Sequence, residues 1–203
     1  LIILTAYPLS KSALKFRFRT LYVWIFFFTM LFSGGLIPTY LLINNLKLMD
    51  TIWSLVLPGG LPIFNMILML NFFRQIPEEI EDAAYIDGAG HWRILWLIFV
   101  PVSTPAIATI TLLCLVNHWN SWFDGLIYMN KIENYPLQSY LQTIIMRFDF
   151  SKLTPTELKS LAKLNQRSIK AAQIWIACIP ILMVYPFLQK YFVKGIVLGS
   201  VKG

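Results

Sequence analysis

Four long stretches of the chain carry no charged side chain, and this pattern restricts the possible folds more than any other feature. They cover residues 21–46, 51–73, 94–123 and 171–189. Each can cross the roughly 30 Å hydrocarbon core of a bilayer as a helix that rises about 1.5 Å per residue. Charged residues make up only 13% of the chain, against about 25% in soluble domains. The sequence therefore predicts an all-α, polytopic transmembrane helical bundle with about four full spans.

The N-terminal segment, residues 1–9, has the sequence LIILTAYPL. It has no basic region before it and no small-residue cleavage site after it, so it does not fit a secretory signal peptide. We interpret it as the end of one more spanning helix. This interpretation implies that the chain is N-terminally truncated.

The charge balance and the cysteines further limit the class of protein. The net charge is +7, but no helix-turn-helix, zinc-finger or RNA-binding signature accompanies it, so we expect no nucleic-acid partner. In a membrane protein, an excess of basic residues is typical of loops that face the cytoplasm. Cys114 and Cys178 both lie within apolar segments. We expect them to be buried by packing rather than joined in a disulfide framework.

A basic loop after the N-terminal segment predicts the orientation of the chain. It carries no acid and four basic residues, Lys11, Lys15, Arg17 and Arg19. The positive-inside rule places this loop in the cytoplasm. Counting from it predicts spanning helices at 21–43, 51–73, 105–128 and 171–190. Two segments are then external, 44–50 and 130–170. Two others are cytoplasmic, 74–101 and the tail after Lys190.

The region 130–170 conflicts with this orientation because it is itself basic. Its basic residues are Lys131, Arg147, Lys152, Lys159, Lys163, Arg167 and Lys170. Charge counting alone therefore does not settle the orientation. Within the same region, Thr154 and Glu157 form a capping-box pattern, which predicts the start of a further helix.

The predicted spans contain many residues that interrupt helices. They are Gly34, Gly35, Pro38, Pro58, Gly59, Gly60, Pro62, Pro180 and Pro186. Glycine lets helices approach closely, but such residues also occur in helices that move or line a pore. Both interpretations stay open. A further signal, Ser103 or Thr104 as an N-cap before Pro105, predicts that the apolar run from Ile94 forms two elements separated around Pro101.

One short segment, PEEIEDAAYIDGAG at residues 77–90, holds five of the acidic residues. Pro77 suits a first helical position, and acids in the first turn meet the positive end of the helix dipole. Gly88 is a natural C-terminal stop, and a second helical stretch should begin near His91. Several residues at spacings of three and four should share a small, mostly apolar face. They are Ile76, Ile80, Ala83, Ala84 and Asp87.

Three interpretations of this segment are possible from the residues alone. It is an ordinary loop helix with solvated acids, a helix that fits a groove on another protein, or an acidic catalytic or metal site. The third has little support, because His91 stands alone, His118 is distant in the chain, and no HExxH spacing is present. We therefore expect no catalytic residue and no metal ligand.

The segment and its surroundings resemble the permease subunits of binding-protein-dependent ABC importers. That family carries a cytoplasmic Glu-Ala-Ala motif, then a glycine, then Ile-x-Leu-Pro at fixed spacing. The matching residues here are Asp82, Ala83, Ala84, Gly88, Ile98, Phe99, Val100 and Pro101. Asp82 replaces Glu and Val100 replaces Leu, which keeps the charge and the apolar character. The flanking sequence resembles that of the MalG-type carbohydrate permeases, in segments that include GLIPTYLL, NHWNSWFDGLIYM and YPLQSYL. Permeases of this type normally have six spans.

The resemblance implies that residues 74–101 form a coupling loop that docks on a cytoplasmic ATPase. The implied docking residues are Ile76, Pro77, Ile80, Asp82, Ala83, Ala84, Asp87, Gly88, Ile98 and Pro101. The implied partners are a second permease, an ATPase dimer, an extracytoplasmic solute-binding protein against the region 130–170, and lipid of the bacterial cytoplasmic membrane. ATP and magnesium would be bound by the ATPase, and no cofactor by this chain. The tail after Lys190 would lie on the ATPase side.

The solute path is less defined by the sequence. Polar residues within spans often mark a path, and the candidates are Asn65, Asn71, Asn117, His118 and Asn120. Each also suits a hydrogen bond between helices. Trp119 and Trp122 suit either stacking on sugar rings or an interfacial belt. Besides a sugar, a polyamine or a phosphate ester stays open as the solute. A stand-alone transporter or a membrane enzyme stays open as the class of protein.

Overall fold

The computed structural model describes residues 1–147 and 171–186. Every regular element among them is helical, so the all-α prediction is confirmed. The helices are α1 Ile2–Ser10, α2 Arg19–Leu31, α3 Leu36–Asn45, α4 Ile52–Val56, α5 Ile63–Arg74, α6 Glu78–Ile86, α7 His91–Val102, α8 Thr104–Asn120, α9 Trp122–Tyr128, α10 Leu137–Arg147 and α11 Ala171–Pro186. The predicted capping box at Thr154 and Glu157 and the tail after Lys190 lie outside the described residues.

The helices predicted at 21–43, 51–73 and 105–128 are each interrupted, so the prediction that each is one continuous helix is wrong. Residues 32–35 separate α2 from α3, residues 57–62 separate α4 from α5, and Ser121 separates α8 from α9. The first two breaks contain the glycines and prolines that interrupt helical hydrogen bonding. Gly35 adopts a φ of +87°, a conformation that strongly favours glycine.

A helix must be both long enough and apolar enough to cross a bilayer. No single helix within residues 1–147 and 171–186 is long and apolar enough to cross a membrane. Two interrupted pairs meet both requirements together, α2 with α3 and α7 with α8. Crossing by such pairs would need neighbouring helices or cavity water to satisfy the backbone groups freed at each break.

The apolar run from Ile94 forms two helices, as predicted, but the break comes at Ser103 rather than at Pro101. Residues Leu95–Phe99 form a π-helical turn ahead of Pro101. This wider turn accommodates a proline ring that has no N–H to donate. The Ser103 carbonyl accepts the first bond of α8 from Ile107, 2.9 Å away. The Ser103 hydroxyl makes no hydrogen bond within the described part of the chain, so the predicted side-chain cap is absent there.

The described residues divide into two compact units. The first comprises 1–35 and 58–115, and the second comprises 36–57, 116–147 and 171–186. In the first unit, α1 packs along α5, and α7 completes the core. The rings of Tyr7, Phe73 and Phe99 meet edge to face, with centroids 5.0 to 6.4 Å apart. This aromatic cluster joins three helices directly beside the basic loop.

In the second unit, α9 packs against α3, α4 and α10. Gly125 of α9 allows the closest approach, because Ser139 Oγ lies where a Cβ at residue 125 would stand. The Ser139 hydroxyl, fully buried, donates a hydrogen bond to the carbonyl of Trp122 at 2.7 Å. A small residue on one helix and a buried hydroxyl on the other therefore fix this contact.

Much of the apolar surface faces outward. The helix α2 buries none of its side chains, and Trp24 and Phe28 are 64% and 59% exposed. A continuous apolar face of this kind is stable against lipid or another protein rather than water. Cys114 is partly buried, but Cys178 is exposed, which corrects the expectation that both are buried.

Candidate functional site

The candidate site is α6 and the turn that follows it, in the first unit. Pro77 precedes the helix with an extended ψ of 136° and so acts as its N-cap residue, one position earlier than predicted. Glu78, Glu79 and Glu81 occupy the first turn, where their charge interacts favourably with the helix dipole. No side chain caps this end. The predicted helix is confirmed, including its acidic start.

Gly88 ends α6, as predicted, by adopting a φ of +76°. The N–H of Gly88 bonds the carbonyl of Tyr85 at 3.0 Å, and the N–H of Ala89 bonds the carbonyl of Ala84 at 2.9 Å. These two bonds define a Schellman motif, which requires a left-handed residue at the glycine position. The turn leads directly into α7 at His91.

The predicted common face of α6 is divided between two environments. Ile76 and Ala84 are each 8% exposed and belong to the chain's own core. Ile80, Ala83 and Asp87 are exposed. The expectation of one shared face is therefore wrong, because helical spacing alone does not specify which side of α6 meets its own bundle.

Glu81 is the residue that the sequence interpretation missed. Its carboxylate lies 2.9 Å from the ammonium of Lys11, and the side chains are 5% and 7% exposed. The Lys11 ammonium also lies over the rings of Tyr7 and Phe99, 3.8 and 4.0 Å from their centroids. Burial lowers the pKa of Lys11, an effect that Glu81 opposes. This acid is therefore not solvated, unlike an acid of an ordinary loop helix.

A second and more exposed ion pair lies beside the first. Lys15 donates a hydrogen bond to Asp82 Oδ1 at 2.9 Å, and its ammonium is 3.8 Å from Glu81 Oε1. The bond to Asp82 raises the pKa of Lys15. Exposed pairs of this kind contribute little stability. Asp82, the first residue of the motif, thus has a partner within its own chain that another cation can replace.

The end of α6 is tied to the start of α7. The Tyr85 hydroxyl and His91 Nδ1 are 2.7 Å apart and share a hydrogen bond. Burial raises the pKa of Tyr85 to about 12, so the phenol keeps its proton at neutral pH. Together with the Schellman bonds, this contact connects the turn at residues 87–90 to both α6 and α7.

The outer surface of this region combines small and apolar residues. Ile86 is 87% exposed and Ile80 is 42% exposed, with Ala83, Asp87 and Gly88 also exposed. Of the other predicted docking residues, Pro77 and Pro101 are exposed, and Ile98 packs partly against the core. After the role that the resemblance implies, we refer to six exposed residues as the docking surface: Pro77, Ile80, Ala83, Ile86, Asp87 and Gly88.

The candidate path residues differ in their burial and in their hydrogen bonds. Asn65 is 6% exposed and its amide donates to the Cys114 sulfur at 3.2 Å, a bond between α5 and α8. This contact favours a structural role. The other candidates, Asn71, Asn117, His118 and Asn120, are exposed. The indole of Trp119 donates to the carbonyl of Ala177 at 2.9 Å, so its polar edge is occupied.

In the second unit, a contact joins two loops that were predicted to be external. Asp50 Oδ1 accepts hydrogen bonds from the side chain of Asn134 at 2.9 Å and from the N–H groups of Asn130 and Lys131 at 3.3 and 3.4 Å. Similarly, in the first unit, Lys11 and Lys15 join two segments that were predicted to be cytoplasmic. Each contact thus joins two segments for which the sequence predicts the same side of the membrane.

Comparisons with known proteins indicate the family of this chain. Residues 5–198 match the family model described as binding-protein-dependent transport system inner membrane component. Protein LplC of Bacillus subtilis strain 168 is 44% identical over 98% of this chain and 66% of its own length. The polygalacturonan/rhamnogalacturonan transport system permease protein YtcP of the same strain is 42% identical over 98% of this chain and 69% of its own length.

A solved structure is also similar. The crystal structure of a bacterial ABC transporter involved in the import of the acidic polysaccharide alginate includes a chain that matches with a TM-score of 0.80 and 35% identity. The match covers 94% of this chain and 67% of that one. The chain thus spans about two thirds of the length of the relatives it matches. With its helical fold and a family match over residues 5–198, it belongs to the inner membrane components, or permeases, of binding-protein-dependent ABC transport systems.

Proposed function

We propose that this chain is one permease subunit of an importer for a sugar or oligosaccharide, and that a cytoplasmic ATPase drives it through α6. The family is a non-catalytic transport component of the inner membrane, and the chain accordingly contributes a path and a mechanical contact rather than a reaction.

The main support for this proposal is the exposure of apolar and small residues on the docking surface. Ile86 exposes 87% of its side chain at the end of a helix whose neighbouring loop is basic and cytoplasmic by the positive-inside rule. An exposed apolar residue flanked by Ala83 and Gly88 suits a protein groove that a helix backbone approaches closely. A helix meant for the membrane surface would instead present large apolar and basic residues.

The proposed assembly has four kinds of subunit. A second permease completes the path, two ATPase subunits bind ATP and magnesium, and an extracytoplasmic binding protein delivers the solute. Closure of the ATPase pair would pull on α6 and rock the spans between inward-facing and outward-facing states. The breaks between α2 and α3 and between α4 and α5 suit helices that change shape during such a movement.

The proposed solute class is carbohydrate. It is supported by the name of the relative that transports polygalacturonan and rhamnogalacturonan and by the alginate importer of similar fold. A polyamine or a phosphate ester is the alternative within the same architecture. The test measures uptake by the reconstituted complex when it is supplied in turn with oligogalacturonides, spermidine or glycerol 3-phosphate. ATP-dependent uptake of the oligogalacturonide alone supports the proposal, and uptake of either other solute contradicts it.

The docking assignment is tested by co-purification of the ATPase. Ala83→Trp places a large side chain on the docking surface without disturbing the buried face of α6. We expect the recovered ATPase to fall by about tenfold or more, as for a residue central to an interface. Ala171→Trp is the matched control, because Ala171 is exposed on α11 in the second unit. Normal recovery and normal uptake with Ala83→Trp would show that α6 is not the docking helix.

A further inference from the structure

The helix α6 is attached to its own unit through very few side chains. Only Glu81 and Ala84 of the helix are buried. Ala84 offers one methyl group to the core and Tyr85 packs partly against it. The other contacts are polar and involve Glu81, Asp82 and the Tyr85 hydroxyl. Of these contacts, the pair formed by Glu81 and Lys11 is the buried one.

The other end of that pair is built into the bundle. Lys11 directly follows α1, and its ammonium lies over both the ring of Tyr7 on α1 and the ring of Phe99 on α7. Both rings also contact Phe73 of α5. The carbonyl of Lys11 accepts a hydrogen bond from the guanidinium of Arg19 at the start of α2. A force on Glu81 therefore reaches α1, α5 and α7 through the side chain of Lys11, and α2 through the carbonyl of Lys11.

Stability alone does not account for a buried ion pair at this position. An apolar pair of similar volume is often as stable or more stable, because it avoids the cost of desolvating two charges. An ion pair differs in that the acid must point at the cation, so it restricts the position and rotation of the helix that carries the acid. Apolar side chains would let α6 slide or turn on the core at low cost.

From these contacts we infer that Lys11 and Glu81 are positioning residues that make α6 move as one body with α1, α5 and α7. Displacement of the docking surface is then delivered to the membrane helices rather than absorbed by sliding of α6. The inference rests on the proposed function, since it explains how movement of a partner at α6 reaches the path.

The experiment compares the amount of solute transported per ATP hydrolysed in the full reconstituted complex. The main variant, Lys11→Met with Glu81→Met, replaces the ion pair by an apolar pair of similar volume. Lys11→Arg keeps the positive charge and the stacking on aromatic rings. Arg17→Met is the matched control, because Arg17 belongs to the same basic loop but is exposed, and it forms no ion pair with α6 in the structure described. Oligogalacturonide is the transported probe, and thermal stability and ATPase recovery are measured for every complex.

We expect the double Met variant to assemble with normal stability and to transport about fivefold less solute per ATP, a typical size for loss of coupling between sites. Lys11→Arg and Arg17→Met should keep the wild-type ratio. A wild-type ratio in the assembled double variant would overturn the inference. If that variant does not assemble, Glu81→Asp is the deciding variant, because it loosens the ion pair but keeps both charges. A reduced ratio of solute transported to ATP hydrolysed in Glu81→Asp supports the inference, and an unchanged ratio overturns it. Failure of the proposed function would give a different result, because the wild-type complex itself would then show no ATP-driven uptake.

Discussion

The N–H of Ala89 donates a hydrogen bond to the carbonyl of Ala84 at 2.9 Å, and this bond closes the C-terminal end of α6. It can form only because Gly88, between the two residues, adopts a φ of +76°. A Cβ at Gly88 would meet no other described atom of the chain within 4 Å. Any effect of Gly88→Ala on the end of α6 itself therefore comes from the backbone and not from a clash within the chain.

Gly88→Ala should weaken the end of α6 by roughly 1–2 kcal/mol, the cost of a left-handed conformation for a residue with a Cβ. We expect faster amide hydrogen exchange at Gly88 and Ala89 and reduced uptake, with the membrane level unchanged. Gly88→Asn should be milder, because asparagine tolerates this conformation. Gly90→Ala is the control: Gly90 has a φ of −77° and open space around it. Equal effects of Gly88→Ala and Gly90→Ala would contradict this explanation.

Gly125→Ala should destabilise the second unit by about 1–3 kcal/mol, the usual cost of overpacking. The new Cβ would lie 2.1 Å from Ser139 Oγ and 2.8 Å from Pro136 Cδ, so α9 and α10 must separate. Thermal unfolding of the purified complex measures the effect. Combining it with Ser139→Gly should recover part of the loss, since the nearest atom is then removed. No change in unfolding temperature with Gly125→Ala would mean that the two helices are not in contact.

Asn65→Ala tests whether Asn65 is structural or part of the solute path. Because its amide bonds the Cys114 sulfur, we expect a loss of about 1 kcal/mol of stability and no change in the apparent affinity for solute. Cys114→Ser keeps an acceptor and should be milder than Cys114→Ala. A large change in transport affinity with unchanged thermal stability would instead assign Asn65 to the path.

Asp50 should make the contact between its loop and residues 130–134 sensitive to acid. The Asn134 amide and the N–H groups of Lys131 and Asn130 hold the pKa of Asp50 below its usual value. A carboxyl group with a lowered folded pKa stabilises the structure above its unfolded pKa of about 3.9, and this contribution is lost as the pH falls through the folded pKa. We expect protection of the Asn130 and Lys131 amides from hydrogen exchange to decrease over that range.

Asp50→Asn serves as the comparison for the acid effect. It keeps an oxygen acceptor, and asparagine tolerates the φ of +59° at this position, so protection should become independent of pH over the same range. Asp50→Ala should reduce protection at every pH. The same pH dependence in Asp50→Asn and in the wild type would exclude Asp50 as its source.

The helix α6 shows which parts of a site local signals can predict. Proline before the helix, acids in its first turn and glycine after it act through neighbouring backbone groups, so the sequence contains all the information needed for its bounds. The helix breaks at Gly34 and Gly35 and at residues 57–62 were also signalled by residue type. Whether those residues interrupt a span or merely allow close packing depends on neighbouring helices, and the sequence left both interpretations open.

The sequence by itself determined that this chain is a helical membrane protein of the ABC permease family, because hydrophobic length, charge placement and a spaced motif are properties of the linear chain. Tertiary structure alone decided that Ile76 and Ala84 face inward while Ile80 and Ala83 face outward. It also decided that Glu81 is buried against Lys11. Helical spacing indicates which residues lie near one another on a helix, but the packing partners decide which of them are buried. Here the partners are the core around Ile76 and Ala84 and, for Glu81, a lysine far away in the chain that lies over Tyr7 and Phe99.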